Sequence, residues 1–283
     1  MPATARSGRF KRGLRLPRAG GTLTANQSTQ GLGKGRAEMT EIAFVSGPRG
    51  DRLAFAHTAG TGPLIVFLSG YRSDMDGTKA VRLEAWAKAQ NRAYLRLDYA
   101  GHGRSGGVFE NGAIGDWAAD AEAVIRSLGT QPVVLVGSSM GGWIAALLSK
   151  RLPVSGFVGI AAAPDFTEDG FWAGFSEEER RTVMEDGGIL VPSAYDDPYV
   201  VTRKLIEDGR ANRVLTQPLT LDCPVRLLQG TEDEAVSRET ALRLLDHIDG
   251  TDTQLTFVKG ADHRFSSPEC LALIETAIQE VLA

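Results

Sequence analysis

The sequence predicts an α/β protein: a three-layer fold with a mostly parallel sheet, an N-terminal antiparallel hairpin and a short helical lid. Two observations predict it. Short, continuous, β-rich apolar runs alternate with longer amphipathic ones, the pattern of strands buried on both faces and joined by helices. A hairpin pattern rich in turn residues precedes them, and a hairpin leading into βα repeats makes a sheet covered by helices on two sides.

The hairpin is EIAFVSGPRGDRLAFAH, residues 41–57, turning at Gly47, Pro48 and Gly50. Strands are expected at LIVFL (64–68), AYLRL (93–97), VVLVG (133–137), GFVGIAA (156–162), VRLLQ (225–229) and QLTFV (254–258). Helical patterns fall near 79–90, 116–128, 139–150 and 238–248, and a last one near 268–282 spaces Leu271, Ile274, Ile278 and Val281 along one face. Between Ala163 and Leu221 no strong strand is read, and FSEEERRTVMED and DPYVVTRKLIEDGRANRVL look helical. An insertion of that length after a mid-sheet strand is where a lid over an active site belongs, here about 164–221, or else it is a surface excursion without function.

A chain of 283 residues with 42% hydrophobic side chains is long enough to bury a core without covalent staples. Its two cysteines, Cys223 and Cys270, lack metal or redox spacing and read as free thiols in a reducing compartment. No apolar run approaches the roughly 20 residues of a membrane span, and no apolar block of secretory type follows the basic start. A soluble, cytoplasmic protein is expected.

The net charge of −4 hides an uneven distribution. Residues 1–38 hold eight Arg or Lys against the single Glu38, which leaves 23 basic and 34 acidic side chains, a balance of −11, from Met39 onward. An acidic body of that kind argues against nucleic acid or anionic membrane as the main partner. The extension itself has too few large apolar residues to offset its ordering entropy and is expected to be disordered. Three readings stand for it: a translated upstream region with Met39 as the start, an Arg-rich transit peptide that implies the mitochondrial matrix, or a basic tail for an acidic partner.

The stretch VVLVGSSMGGW, residues 133–143, runs from a strand directly into a helix. In a Gly-x-Ser-x-Gly turn the central serine sits at the bend, and the flanking glycines remove side chains that would collide. Gly137 and Gly141 lie two residues either side of Ser139; centred on Ser138 the flanks are Val136 and Met140. Ser139 is therefore the candidate nucleophile.

A serine hydroxyl needs a base and a group that orients the base. Of four histidines, His57 lies in the hairpin, His102 in a glycine-rich loop and His247 at a helix end, which leaves His263 directly after the last strand. Asp233, in LLQGTEDEAV after the penultimate strand, is the candidate acid, with Asp165 second; Glu232 and Glu234 read as solvated neighbours. The order Ser139, Asp233, His263 is that of α/β-hydrolases. Oxyanion donors are expected from the N–H groups of Met140 and Tyr71. The Tyr71 and Arg72 side chains are candidates for substrate contact, Arg72 equally for a solvated loop residue. Phe166, Phe171, Trp172 and Phe175 of the lid either line an acyl site or pack the lid down.

The runs FLSGYRSDMDGTKA, LDYAGHGRSGG, VGSSMGGW and CPVRLLQGTED, with the ending DHR, resemble the α/β-hydrolase subfamily of the mitochondrial palmitoyl-protein thioesterase, which is also the mycophenolic acid acyl-glucuronide esterase. The resemblance covers roughly 41–283 and puts the nucleophile on Ser139, the acid on Asp233 and the base on His263. Departures are Ser237 where the family's acid loop suggests proline, Arg72 in place of an apolar residue, and a loosely similar lid.

The resemblance implies an α/β-hydrolase fold over 39–283 and a serine esterase or thioesterase that uses no cofactor or metal. Its substrates are small-molecule or acylated-protein esters, such as S-acyl thioesters or acyl glucuronides. A broad short-acyl carboxylesterase keeps the same catalytic residues, and a non-catalytic receptor on the scaffold is the reading from another class.

Overall fold

The computed structural model describes residues 40–192, 198–216 and 218–283. The expected disorder of residues 1–38 lies outside the described residues, as do residues 193–197 and Gln217 of the expected lid. In chain order the elements are β1 (Ile42–Ser46), β2 (Arg52–Thr58), β3 (Thr61–Leu68), α1 (Thr78–Ala89), β4 (Arg92–Leu97), α2 (Ile114–Ser127), β5 (Val133–Ser138), α3 (Met140–Leu148) and β6 (Val154–Ile160). After a π-helical turn at Thr167–Trp172 come α4 (Glu177–Asp186), β7 (Gly188–Val191), β8 (Tyr199–Thr202), α5 (Arg203–Ala211) and β9 (Leu219–Thr220). The chain closes with β10 (Val225–Gly230), α6 (Arg238–His247), β11 (Ile248–Asp249), β12 (Thr253–Val258) and α7 (Pro268–Val281).

Eight strands form one sheet in the order β1-β2-β4-β3-β5-β6-β10-β12. β2 runs antiparallel to β1 and β4, and the other neighbours are parallel. Alternation along the strands sorts the core into two layers. Ile65 and Phe67 of β3 and Val134 and Val136 of β5 pack with Leu83 of α1 and Ile274 and Ile278 of α7. Leu64, Val66, Val133 and Leu135 face the other way, onto Trp117 of α2, Ile144 of α3 and Leu244 of α6. The chain steps from β3 outward to β4 and returns to β5 on β3's other side. The crevice at the carboxyl ends of β3 and β5 is thus the switch point at which such sheets bind ligands.

The segment between β6 and β10 differs from the expected all-helical pattern. α4 forms where expected, with Ser176 and Glu179 making a capping box. The stretch YVVT, however, is β8, paired antiparallel with β7. Consecutive β-branched residues disfavour a helix there, and Gly188–Val191 supplies a strand for them to join. Thr202 then caps α5 by accepting from the Leu205 N–H. Trp143 Nε1, which donates to Asn212 O, and the Gly115 N–H, which donates to Asp208 Oδ1, moor this segment to the body, while the Val214 and Leu215 N–H groups donate to Asp165 and tie the segment's two ends together.

Under the loop between β3 and α1 lies a buried ionic cluster. Arg96 of β4, 6% exposed, donates Nε to Glu84 at 2.9 Å and Nη1 to Asp76 at 2.7 Å and Met75 O at 3.0 Å. Glu84 also accepts from Thr40 and Thr58. Burial pushes its carboxyl up, but the Thr40 hydroxyl, Arg96 and Lys88 outweigh that and hold it below the ordinary range. Removing one partner of such a group strands the other charge. Arg96→Met is therefore expected to destabilise the protein by about 3 kcal/mol, read from the shift in urea midpoint against wild type.

Candidate active site

Ser139 stands alone between β5 and α3 with φ 54° and ψ −119°. A non-glycine residue in that region stores on the order of 1–3 kcal/mol of strain, and three backbone hydrogen bonds hold it. Its N–H donates to Ile160 O at 2.9 Å, and its carbonyl accepts from Gly142 and Ala163. The glycines are required by close approach. A Cβ on Gly137 would lie 2.3 Å from Gly141 O, and one on Gly141 would lie 2.0 Å from Leu68 O. Both adjacent serines border the crevice, but Ser138 is buried at the strand end, and it is the Ser139 hydroxyl that lies within hydrogen-bond distance of His263.

His263, on the loop between β12 and α7, brings Nε2 to 3.1 Å from Ser139 Oγ and Nδ1 to 2.9 Å from Asp233 Oδ2. Asp233 follows β10 with its carboxylate fully buried. Oδ1 accepts from the N–H groups of Ala235 and Val236, and Oδ2 also accepts from Gln229 Nε2 at 2.9 Å. Burial raises the carboxyl's pKa, yet the bonds and charge of His263, the Val236 N–H and Gln229 together depress it. Asp233 is thus an anion at neutral pH, pointed at Nδ1, and it favours the tautomer that leaves Nε2 as acceptor toward the serine.

Gln229 escaped the sequence reading, although a polar residue ending the apolar run VRLLQ was a signal. It is 1% exposed and also donates to Val236 O, so it braces the acid's loop. Asp165, the second candidate acid, is excluded by its partners. Its buried carboxylate accepts from Val214, Leu215 and Arg213, and so serves the excursion after β6.

The oxyanion candidates flank Ser139. Met140 opens α3, so its N–H belongs to the helix's first turn and has no intrahelical acceptor. Gly70 packs against the serine closely enough that a Cβ there would lie 3.3 Å from Ser139 Cβ, and Tyr71 follows it. A cavity of about 680 Å³ opens over Ser139 and His263, lined by Tyr71, Arg72, Phe166, Phe171 and Tyr199 among others. Tyr71 is hemmed in by the rings of Phe109, Trp117, Phe166, Phe171 and Tyr199 at 5.0–6.0 Å. Arg72, at φ 57°, sets its guanidinium 5.3 Å from the Tyr199 ring centre.

Trp172 is not brought to this cavity. Its ring takes the guanidinium groups of Arg210 at 4.3 Å and Arg180 at 5.4 Å, so its apolar faces are spent on cations, and it is absent from the described lining residues. Phe175 stacks on Phe171. The lid aromatics therefore divide: Phe166 and Phe171 line the cavity, Trp172 and Phe175 pack behind.

His102 sits 4% exposed among Tyr99, Phe109 and Trp117. Burial pushes its pKa down to about 4, against the opposing effect of Ala100 O. A neutral buried histidine contributes stability that is full above its unfolded pKa and is lost as pH falls from about 6.5 toward about 4. His102→Asn is expected to flatten the loss of urea midpoint across that window; an unchanged slope would count against a neutral His102.

Among known proteins, a model of the alpha/beta hydrolase family matches residues 65–272. The palmitoyl-protein thioesterase ABHD10, mitochondrial, of Bos taurus is 33% identical over 250 residues, 86% of this chain and 80% of that protein. A crystal structure from Agrobacterium vitis S4 superposes with a TM-score of 0.82 at 38% identity, covering 87% of this chain and 99% of that one. Alpha/beta hydrolase domain-containing protein 10 from mouse gives 0.78 at 29% identity, covering 85% and 98%.

Proposed function

The chain belongs to the alpha/beta hydrolase family, and from that premise we propose that it cleaves carboxylic esters and thioesters through a covalent acyl-serine. The observation that carries this is the continuous relay from Asp233 through His263 to Ser139 at the strained turn. Ser139 Oγ attacks the substrate carbonyl carbon while His263 Nε2 takes the hydroxyl proton. Asp233 stabilises the imidazolium so formed, and the N–H groups of Met140 and Tyr71 receive the oxyanion. Collapse expels the alcohol or thiol, protonated by His263. Water, activated by the same nitrogen, then releases the acid and restores the serine.

For the acyl group, the aromatic lining from Phe166, Phe171 and Tyr199 supports an apolar acid, and the thioesterases among the relatives support a thiol leaving group. The lid over this cavity is the segment 164–221. Of the readings of residues 1–38, a transit peptide fits relatives named mitochondrial; a mature chain beginning near Met1 would overturn it.

Two measurements test the reading. Ser139→Ala is expected to lower kcat/KM by several orders of magnitude, and Asp233→Asn by about 10⁴ through loss of the productive tautomer; near wild-type turnover of Ser139→Ala would sink the mechanism. Initial rates over a C2 to C16 thioester series then set the acyl group. A Ser139-dependent rate that rises toward C16 makes the protein a long-chain deacylase, and a maximum at C2 to C6 makes it a short-acyl esterase.

A further inference from the structure

Lys79 is the second residue of α1, in the run Asp76-Gly77-Thr78-Lys79-Ala80, and it borders the cavity. Its position is electrostatically poor. The N-terminal end of a helix carries the positive pole of the peptide dipoles, and the first turn of α1 holds no acidic residue to offset it. The side chain is also partly buried, and a solvated lysine would avoid both costs. What it gains is one contact: Nζ donates to the carbonyl of Arg264, the residue after His263.

We propose that Lys79 is a positioning residue that pins the His263 loop to the head of α1, and so sets the imidazole against the loop that carries Tyr71. The inference rests on the reading of His263 as the general base. Its geometric basis is that two separate loops build the site. The loop of residues 69–77 leads straight into α1, and the loop of residues 259–267 leads into α7. Arg82 of α1 pairs with Glu275 of α7 further along, at 2.7 Å. Of these two ties between α1 and the elements that follow β12, the Lys79 bond is the nearer to His263 along the chain. Within its own loop Arg264 O also accepts from Ser266 Oγ, and Phe265, at φ 49° with its ring fully buried, anchors the turn to the core. These bonds shape the loop locally; the Gly260 N–H, which donates to Thr231 Oγ1, and Ala261 O, which accepts from the Glu232 N–H, tie its start to the acid's loop, and the Lys79 contact ties its second half to α1.

The groups whose charge acts on Lys79 are Asp262 and Arg264 of that loop and Cys270 of α7. Burial is the largest influence and, joined by Arg264, brings the amine down to about 8 against the attraction of Asp262 and Cys270. Raising the pH through that value removes the charge from the tie. Turnover by the wild type should therefore fall on the alkaline side while substrate affinity holds.

The test compares wild type, Lys79→Met and Lys79→Arg, with Ser139→Ala as blank, on one thioester from pH 6 to 9.5. Hydrogen exchange of the backbone amides of residues 259–267 is followed in the same proteins. Lys79→Met is expected to lower kcat about tenfold, as a misplaced catalytic group does, with KM within about twofold, and to speed exchange in that loop. Lys79→Arg, which keeps its charge at every pH tested, is expected to restore most of kcat and to lose the fall near pH 8. Unchanged kcat, pH profile and exchange in Lys79→Met would overturn the proposal. So would a loss of kcat, KM and thermal stability together that arginine does not relieve, because that pattern belongs to packing. If Ser139→Ala turned over like wild type, the functional reading would fail by itself, and loop exchange in the two lysine variants would still decide the tie.

Discussion

The whole site depends on how closely α3 starts behind β5. With one residue between strand and helix, the helix's first turn is pressed onto the end of β3, where the Gly141 Cα leaves no room for a Cβ beside Leu68 O. That contact forces Ser139 into its strained conformation and aims its hydroxyl out of the sheet edge. It also places the first-turn amides of α3 beside the serine, which is what a developing oxyanion requires. Gly70 continues the same crowding from the other strand. The serine's conformation, the first-turn amides beside it and the close approach of the loop after β3 are therefore consequences of a single packing constraint.

Around this rigid centre the remaining groups are brought in by loops, and buried polar contacts substitute for the rigidity that loops lack. Asp98, at the end of β4, accepts from the N–H groups of Met75 and Arg104, tying the loop after β3 to the loop that follows β4. Burial pushes its carboxyl up, so both amides are needed to keep it satisfied. Arg96 and Asp76 add a second brace to the same loop. On the opposite side of the crevice Gln229 and the turn amides of Ala235 and Val236 hold Asp233. Such polar networks contribute little net stability compared with apolar packing, but they tolerate only one arrangement, which suits groups that must meet within a few tenths of an ångström.

The excursion after β6 shows how one cluster of aromatics serves two ends. Phe166 and Phe171 pack on Tyr71, so the residue whose amide we propose as an oxyanion donor is held through its ring by the segment after β6. Any shift of that segment is thereby felt at the loop beside Ser139. Trp143 and Gly115 fasten the far end of the segment to the body, and Asp165 ties that end back to the segment's start.

Sequence alone determined the sheet and its helices and singled out Ser139 as the candidate nucleophile, because these rest on local signals. Apolar periodicity separates strands from helices, and the offsets of Gly137 and Gly141 single out Ser139 over Ser138. His263 and Asp233 were also legible, since in a parallel sheet every residue just past a strand's carboxyl end faces the same edge. What only the tertiary structure decided are relations between distant segments. Asp165 and Asp233 look alike in sequence, each shortly after a strand, and are told apart only by the Val214 and Leu215 amides that claim one and the imidazole that claims the other. Phe171 and Trp172 are adjacent, yet one lines the cavity and the other lies under Arg210, which follows from how α5 packs on the π-helical turn. The strand YVVT became visible only with its partner, because a two-stranded ribbon exists through pairing and not through either sequence by itself.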